Sequence, residues 1–476
     1  MTCDSPPTSA ERNPISDRVQ SAAFRRLMNG LLLTAIIVRF IVLITCDDES
    51  PDPHLEVIRY IGDHWKLPIS NELNQSYHPP LYYVLMAPLW AASHSVGVRQ
   101  VGGARDPAWL IHFVSFLFST ANLLVIRRVL RHPLVVPNPM GNAIAFGIAC
   151  FLPEFVMFSG YISNDTLTFL VGSLLFLAAL RYVEQPTGRR LTVMGIMVGV
   201  GLLTKGTFIG VGGALLLLVA LVESRRGWKH ATVAICGFTL LWASLGSYKY
   251  IENTIKLGRP IVHNLDLHGI AWQTQRPTWK GWQTLYDINI MEIVREPTMR
   301  PKNTVSYPLL MYATFWYPHI PHSWTFLANL SDYRFLGSVI YLFGLVPTLI
   351  YLAGFGKSIA VSVRLSRVSA HERLDHKRWL LAMCSLLLII PNVAVVLAAG
   401  VKYDVWSCFQ SRLTFQSALP IMVLFGLGFD LLPGSRWMRC VVYSLCWATV
   451  AACLAYFLVE LAFLYGILPP GTPFVA

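Results

Sequence analysis

The chain has 476 residues, 54% of them hydrophobic and only 13% charged, with a mean hydropathy of +0.51, which excludes a soluble globular enzyme and points to a polytopic α-helical membrane protein. Its apolar runs are continuous rather than alternating, which excludes a transmembrane barrel. The formal net charge of +12 falls largely in short loops between those runs, so it reads as membrane orientation and not as a nucleic-acid surface.

A polar stretch opens the chain, and Arg12, Arg18, Arg25 and Arg26 precede the first apolar run, about residues 27–45. No A-x-A-like site follows that run, so it reads as a retained anchor behind a cytoplasmic tail, residues 1–26. The next apolar run, about residues 79–98, either crosses or lies along the membrane, and charge decides. If it does not cross, the short basic loops all share the cytoplasmic side with the tail. These loops hold Arg127, Arg128 and Arg131; Arg181, Arg189 and Arg190; Arg225, Arg226 and Lys229; residues 357–378; and Arg436 with Arg439. Pro79 and Pro80 suit a helix start, and Tyr82, Tyr83 and Trp90 suit the headgroup level. Residues 46–108 therefore form a long outer segment with one or two amphipathic helices, the first showing Leu55, Ile58 and Ile61 at helical spacing.

Further spans are expected at about residues 109–126, 141–161, 166–180, 191–203, 207–222, 231–247, 335–356, 380–400, 413–431 and 441–463, about eleven crossings in all. Residues 27–247 form an N-terminal membrane module, 248–334 a second outer loop rich in Trp, Tyr, His and Pro, and 335–476 a C-terminal set of helices. That loop reads either as a lid or acceptor platform or as an ordinary ectodomain packed on helix ends. Nine cysteines are scattered without C-x-x-C or zinc spacing; Cys46 and Cys408, both on the outer face, are a candidate pair.

Chemistry is concentrated at the outer rim. Asp47, Asp48, Glu49 and Asp52 crowd four carboxylates beside the first span, where ionised groups persist only in water or a polar cavity. His54, His78, Asp165, Lys205, Gln410 and Arg412 fall on the same face, and Arg39 lies near the outer end of the first span. Each has a plainer reading: a solvated acidic loop, loop hydrogen bonds for the histidines, a helix cap for Asp165, snorkelling anchors for Arg39 and Lys205. Together they suit a polar substrate with a charged group, such as a polyprenyl-phosphate sugar. Transfer from that donor needs one carboxylate to take the acceptor's proton and fixed cations for the departing phosphate, rather than the spaced carboxylate pair of a hydrolase.

These residues resemble the GT-C superfamily of membrane glycosyltransferases, which includes the protein O-mannosyltransferases and the lipid A aminoarabinose transferases. The resemblance rests on Val38-Arg39-Phe40, Asp48-Glu49, His78-Pro-Pro-Leu-Tyr-Tyr83, Ser163-Asn-Asp-Thr-Leu167, Gly201-Leu-Leu-Thr-Lys-Gly206, and Gln410-Ser-Arg412 followed by Leu419-Pro420. It implies a GT-C fold, a polyprenyl-phosphate sugar donor and, as the lipid-phosphate-dependent members are metal-independent, neither metal nor cofactor. It also implies a lipid, glycan or protein acceptor and a catalytic Asp in the first outer loop: Asp48 or Asp52, with Glu49 assisting. Substrate contacts are expected from Arg39, His54, His78, Asp165, Lys205, Gln410 and Arg412. The chain departs from the family pattern near His112, where an Arg is usual, and at Gln416, where a Pro is usual. The expected setting is a bacterial inner membrane with the site facing outward. A transporter, with its site at the short fifth and sixth spans, and a non-enzymatic lipid-phosphate binder are the rival readings.

Overall fold

The computed structural model describes residues 14–45, 52–96, 108–132, 134–135, 138–263, 283–298, 306–319, 333–365, 373–403, 409–432 and 434–467. Asp48, Glu49, Cys46 and Cys408 lie outside the described residues, and so does the proposed pairing of the two cysteines.

Among the described residues every regular element is helical. In chain order these are α1 (Pro14–Thr45), α2 (His54–His64), α3 (Leu81–Val96), α4 (Trp109–Leu130), α5 (Pro139–Phe151), α6 (Pro153–Met157), α7 (Asn164–Glu184), α8 (Gly188–Thr204), α9 (Phe208–Glu223), α10 (Trp228–Gly246), α11 (Tyr248–Leu257), α12 (Gln283–Tyr286), α13 (Ile290–Arg295), α14 (Tyr307–Trp316), α15 (Arg334–Leu365), α16 (Arg373–Tyr403), a 3-10 segment Ser411–Ser417, α17 (Ala418–Gly428) and α18 (Arg436–Leu464).

Among the described residues eight helical segments are long and apolar enough to cross a membrane, and α10 with α11, bent by 62° at Ser247, make a ninth if counted as one. The protein is an integral membrane protein. Two of the eleven expected crossings fall short by length: residues 141–161 are split into α5 and α6, and α8 has 17 residues, against the ~20 a span needs. The split has a local cause. Leu152 takes an extended ψ ahead of Pro153, whose ring disfavours helical geometry in the residue before it. At 16 residues α3 is about 24 Å long, short of a ~30 Å hydrocarbon core, as the non-crossing reading requires.

Tyr82, Tyr83 and Trp90 are not at a headgroup surface but fully inside the protein. The aromatic side of α3 packs against α2 and α4, while Val84 and Leu85 on its other side are exposed. Large apolar side chains such as Leu33, Ile37, Val233, Leu240 and Leu349 are likewise exposed, the face a lipid-bathed bundle presents. Between helices, small residues allow close approach. A Cβ on Gly354 of α15 would run into the Leu424 carbonyl of α17, and one on Gly428 into the Ile350 carbonyl of α15.

Candidate functional site

The site is assembled by breaks in helices. Ser163, extended, caps α7 by accepting a hydrogen bond from Asp165 N–H at 3.2 Å, so Ser163 and not Asp165 is the cap. This frees the Asp165 carboxylate for Lys205, which sits in extended backbone between α8 and α9 and donates its ammonium to Asp165 Oδ1. Both side chains are buried, so Lys205 is no snorkelling anchor. Asn164 Nδ2 donates to the Thr204 carbonyl at 3.4 Å, and Thr207 Oγ1 donates to Gln416 Oε1 at 2.7 Å, tying the α8–α9 break to α7 and the 3-10 segment.

The 3-10 segment carries Arg412. Its start is held by α14 of the second outer loop, since Ser411 N–H donates to Thr314 Oγ1 at 2.9 Å and Ser411 Oγ to the Met311 carbonyl. Arg412 is 7% exposed and donates through Nη2 to Asp52 Oδ2 at 2.8 Å, across 360 residues of chain. The guanidinium lies over the Phe158 ring at 5.1 Å. Nε and Nη1 are buried and have no hydrogen-bond partner among the described residues. Burial pushes the Asp52 carboxyl up, but Arg412, with His54 and Lys205, more than offsets this and holds it below its ordinary value. The Asp52 side chain remains about a third exposed (35%), so this carboxylate faces the opening while its cation is enclosed.

His54, two residues on, is 2% exposed. Tyr83 Oη donates to the Gln75 carbonyl at 3.3 Å and so accepts from His54 Nδ1–H at 2.8 Å; Ser163 Oγ then donates to Nε2 at 3.4 Å. Both ring nitrogens are satisfied in the neutral form. Burial lowers His54 to about 4 against the pull of Asp52 and Asp165, and burial with His54 and Lys205 nearby lowers His78 well below its usual range. The His78 ring stacks on His54 at 5.7 Å and against Tyr77 at 4.0 Å. Gln410 is buried at the start of the 3-10 segment, its carbonyl accepting from Leu413 N–H at 3.1 Å.

The structure therefore brings together Asp52, His54, His78, Asp165, Lys205 and Arg412. Arg39 stands apart. Fully buried, it neither snorkels nor reaches this cluster: Nε donates to Ser119 Oγ at 2.9 Å, and the terminal nitrogens to the carbonyls of Cys150 (2.7 Å), Ala35 (3.3 Å) and Ala149 (3.4 Å), joining α1, α4 and α5. His112, where the family pattern has Arg, donates Nδ1–H to the Gly160 carbonyl and ties α4 to the turn before Ser163. Two participants went unread in the sequence, Phe158 and Glu154. A carboxylate inside an apolar run was signal enough for Glu154. No group of three or more His, Cys, Asp or Glu placed to hold a metal ion occurs among the described residues.

A family model described as dolichyl-phosphate-mannose-protein mannosyltransferase matches residues 88–245. No curated protein matches the chain. Among solved structures it is similar to ArnT from Cupriavidus metallidurans bound to undecaprenyl phosphate (15% identity, 84% of this chain and 76% of that one, TM-score 0.35). It is also similar to the archaeal oligosaccharyltransferase AglB from Archaeoglobus fulgidus in complex with an inhibitory peptide and a dolichol-phosphate (13% identity, 90% of this chain, TM-score 0.48), of which it spans 56%. The chain thus resembles the GT-C membrane glycosyltransferases on two counts, by the motifs it carries and by the family model over residues 88–245.

Proposed function

We propose that the protein transfers a sugar from a polyprenyl-phosphate donor to an acceptor hydroxyl, at the non-cytoplasmic face of a bacterial inner membrane. The observation that carries this is Arg412: a buried guanidinium, fixed on one side by Asp52, with two enclosed nitrogens, Nε and Nη1, that have no partner among the described residues. Leaving such donors unmade costs ~1–3 kcal/mol each, a cost retained where a ligand completes them. An anionic phosphate does so, with Lys205 as a second cation within reach of the same cluster.

The proposed reaction uses these groups. The acceptor hydroxyl attacks the anomeric carbon while a carboxylate takes its proton. Asp52, ionised and about a third exposed, suits that role, with Asp48 of the same loop as the other candidate and Glu49 assisting. The bond from the anomeric carbon to the phosphate oxygen breaks on the opposite face, so configuration inverts. Polyprenyl phosphate departs as an anion that needs no proton, and Arg412 and Lys205 stabilise the charge it gains. His54, neutral and hydrogen-bonded at both nitrogens, sets the register of α2 against α3 and α7 instead of carrying a proton.

The test uses the purified full chain in lipid nanodiscs with radiolabelled undecaprenyl-phosphate sugars and hydroxyl acceptors. Transfer that is lost in Asp52→Asn or Asp48→Asn with donor binding retained is the expected result. Donor binding with no transfer in the unaltered protein would instead identify a lipid-phosphate binder.

A further inference from the structure

Glu154 has no part in the roles assigned above. It sits on α6, the single helical turn that Pro153 creates by ending α5 early. The residue is 2% exposed, and its Oε2 makes no hydrogen bond among the described residues. Arg412 and Asp165 both lie within its electrostatic reach. Arg412 already holds Asp52 and Lys205 already holds Asp165, so of the described carboxylates in this cluster Glu154 is the one without a cation of its own.

What completes such an oxygen is constrained by its neighbours. With phosphate on the unpaired Nε and Nη1 edge of Arg412, a second anion beside Glu154 would be repelled, and an apolar group would leave Oε2 unmade. A hydroxyl suits it, because it donates to a carboxyl oxygen in either protonation state. In a polyprenyl-phosphate sugar the hydroxyl nearest the phosphate is the one on the ring carbon next to the anomeric carbon. We infer that Glu154 is a sugar-recognition residue, accepting a hydrogen bond from that hydroxyl and so selecting the sugar-bearing lipid over the bare lipid phosphate. This rests on the function proposed above.

The experiment measures binding of undecaprenyl phosphate and of undecaprenyl-phosphate mannose and glucose to the full chain in nanodiscs, together with the 2-deoxy form of the tighter sugar lipid. The unaltered protein should hold one sugar lipid ~10-fold tighter than the bare lipid, a difference of ~1.4 kcal/mol, and lose most of that preference with the 2-deoxy form. In Glu154→Ala the bare lipid should bind as before, the preference should fall to within ~3-fold, and the 2-deoxy change should no longer matter, the signature of a coupled pair. Glu154→Leu, which fills the space, gives the same readout where alanine does not fold. Weakening of all lipids by one factor, an intact preference in the variants, or indifference of the unaltered protein to the 2-hydroxyl would each overturn the assignment. Failure of the unaltered protein to bind even the bare lipid would remove the functional reading itself.

Discussion

Replacing Arg412 with Met should abolish donor binding while leaving the fold nearly as stable as before. The guanidinium gives the protein a 2.8 Å bond to Asp52, worth ~1–2 kcal/mol with that partner a third exposed, and the contact with Phe158, ~0.5–1 kcal/mol. Its Nε and Nη1 are enclosed without a partner among the described residues, which costs ~1–3 kcal/mol each. The stabilising ~1.5–3 kcal/mol and the opposing ~2–6 kcal/mol overlap, and methionine keeps the apolar stem packed, so stability should change by no more than a few kcal/mol, in either direction. A bound phosphate, in contrast, loses two charge-assisted hydrogen bonds at ~1.5–3 kcal/mol each, so ~3–6 kcal/mol in total and a ~10²–10⁴-fold rise in Kd. Arg412→Lys, a point charge without the planar fork, should fall between. The assay is undecaprenyl-phosphate binding by intrinsic tryptophan fluorescence alongside thermal unfolding in nanodiscs. A large drop in Tm with Kd unchanged would make Arg412 a structural cation and refute the reasoning.

Breaking the Lys205–Asp165 pair from either side, by Lys205→Met or Asp165→Asn, should destabilise by ~3–5 kcal/mol because the remaining charge is left buried, and the double variant should be milder than the sum of the two in thermal unfolding. Stability should fall as pH drops from about 6.5 to about 4: His54 is held neutral by burial in the folded protein, so the unfolded chain takes up its proton first. His78 acts in the same direction, so His54→Gln should flatten only part of a Tm–pH curve. Asp52, depressed, contributes stability above the ordinary carboxylate range that is lost only as pH falls below it, so a loss of Tm near pH 6.5 that vanishes in Asp52→Asn would contradict its assignment. Gly172→Ala should cost ~1–3 kcal/mol and impair donor binding, since its Cβ would collide with the Gln416 carbonyl of the segment that carries Arg412; Gly213→Ala, with open space around it, should be neutral or slightly stabilising in the same measurements. Single cysteines at the exposed positions Glu72 and Arg128, in a cysteine-free background, should react with an impermeant thiol reagent from opposite sides of the membrane.

The sequence by itself determined the class, the approximate positions of most helices and most of the residues that gather in the candidate site. Hydropathy and the 3.6-residue period are local free energies, and they locate α2 through Leu55, Ile58 and Ile61, α3 after Pro80, and the long apolar helices regardless of what each packs against. Charged residues in apolar surroundings announced themselves for the same reason, because burying Asp165, Lys205 or Arg412 is costly without a purpose. Which of them meet was settled only by the tertiary structure. Lys205 finds Asp165 across 40 residues and Arg412 finds Asp52 across 360, and both meetings depend on where helices stop: at Thr204, at Ser163 and at the 3-10 turn after Gln410. Arg39 shows the converse. Its charge at the edge of a span suggested a ligand, yet carbonyls near the end of α5 and Ser119 take its guanidinium, because the break at Pro153 leaves helix-end carbonyls without intrahelical partners.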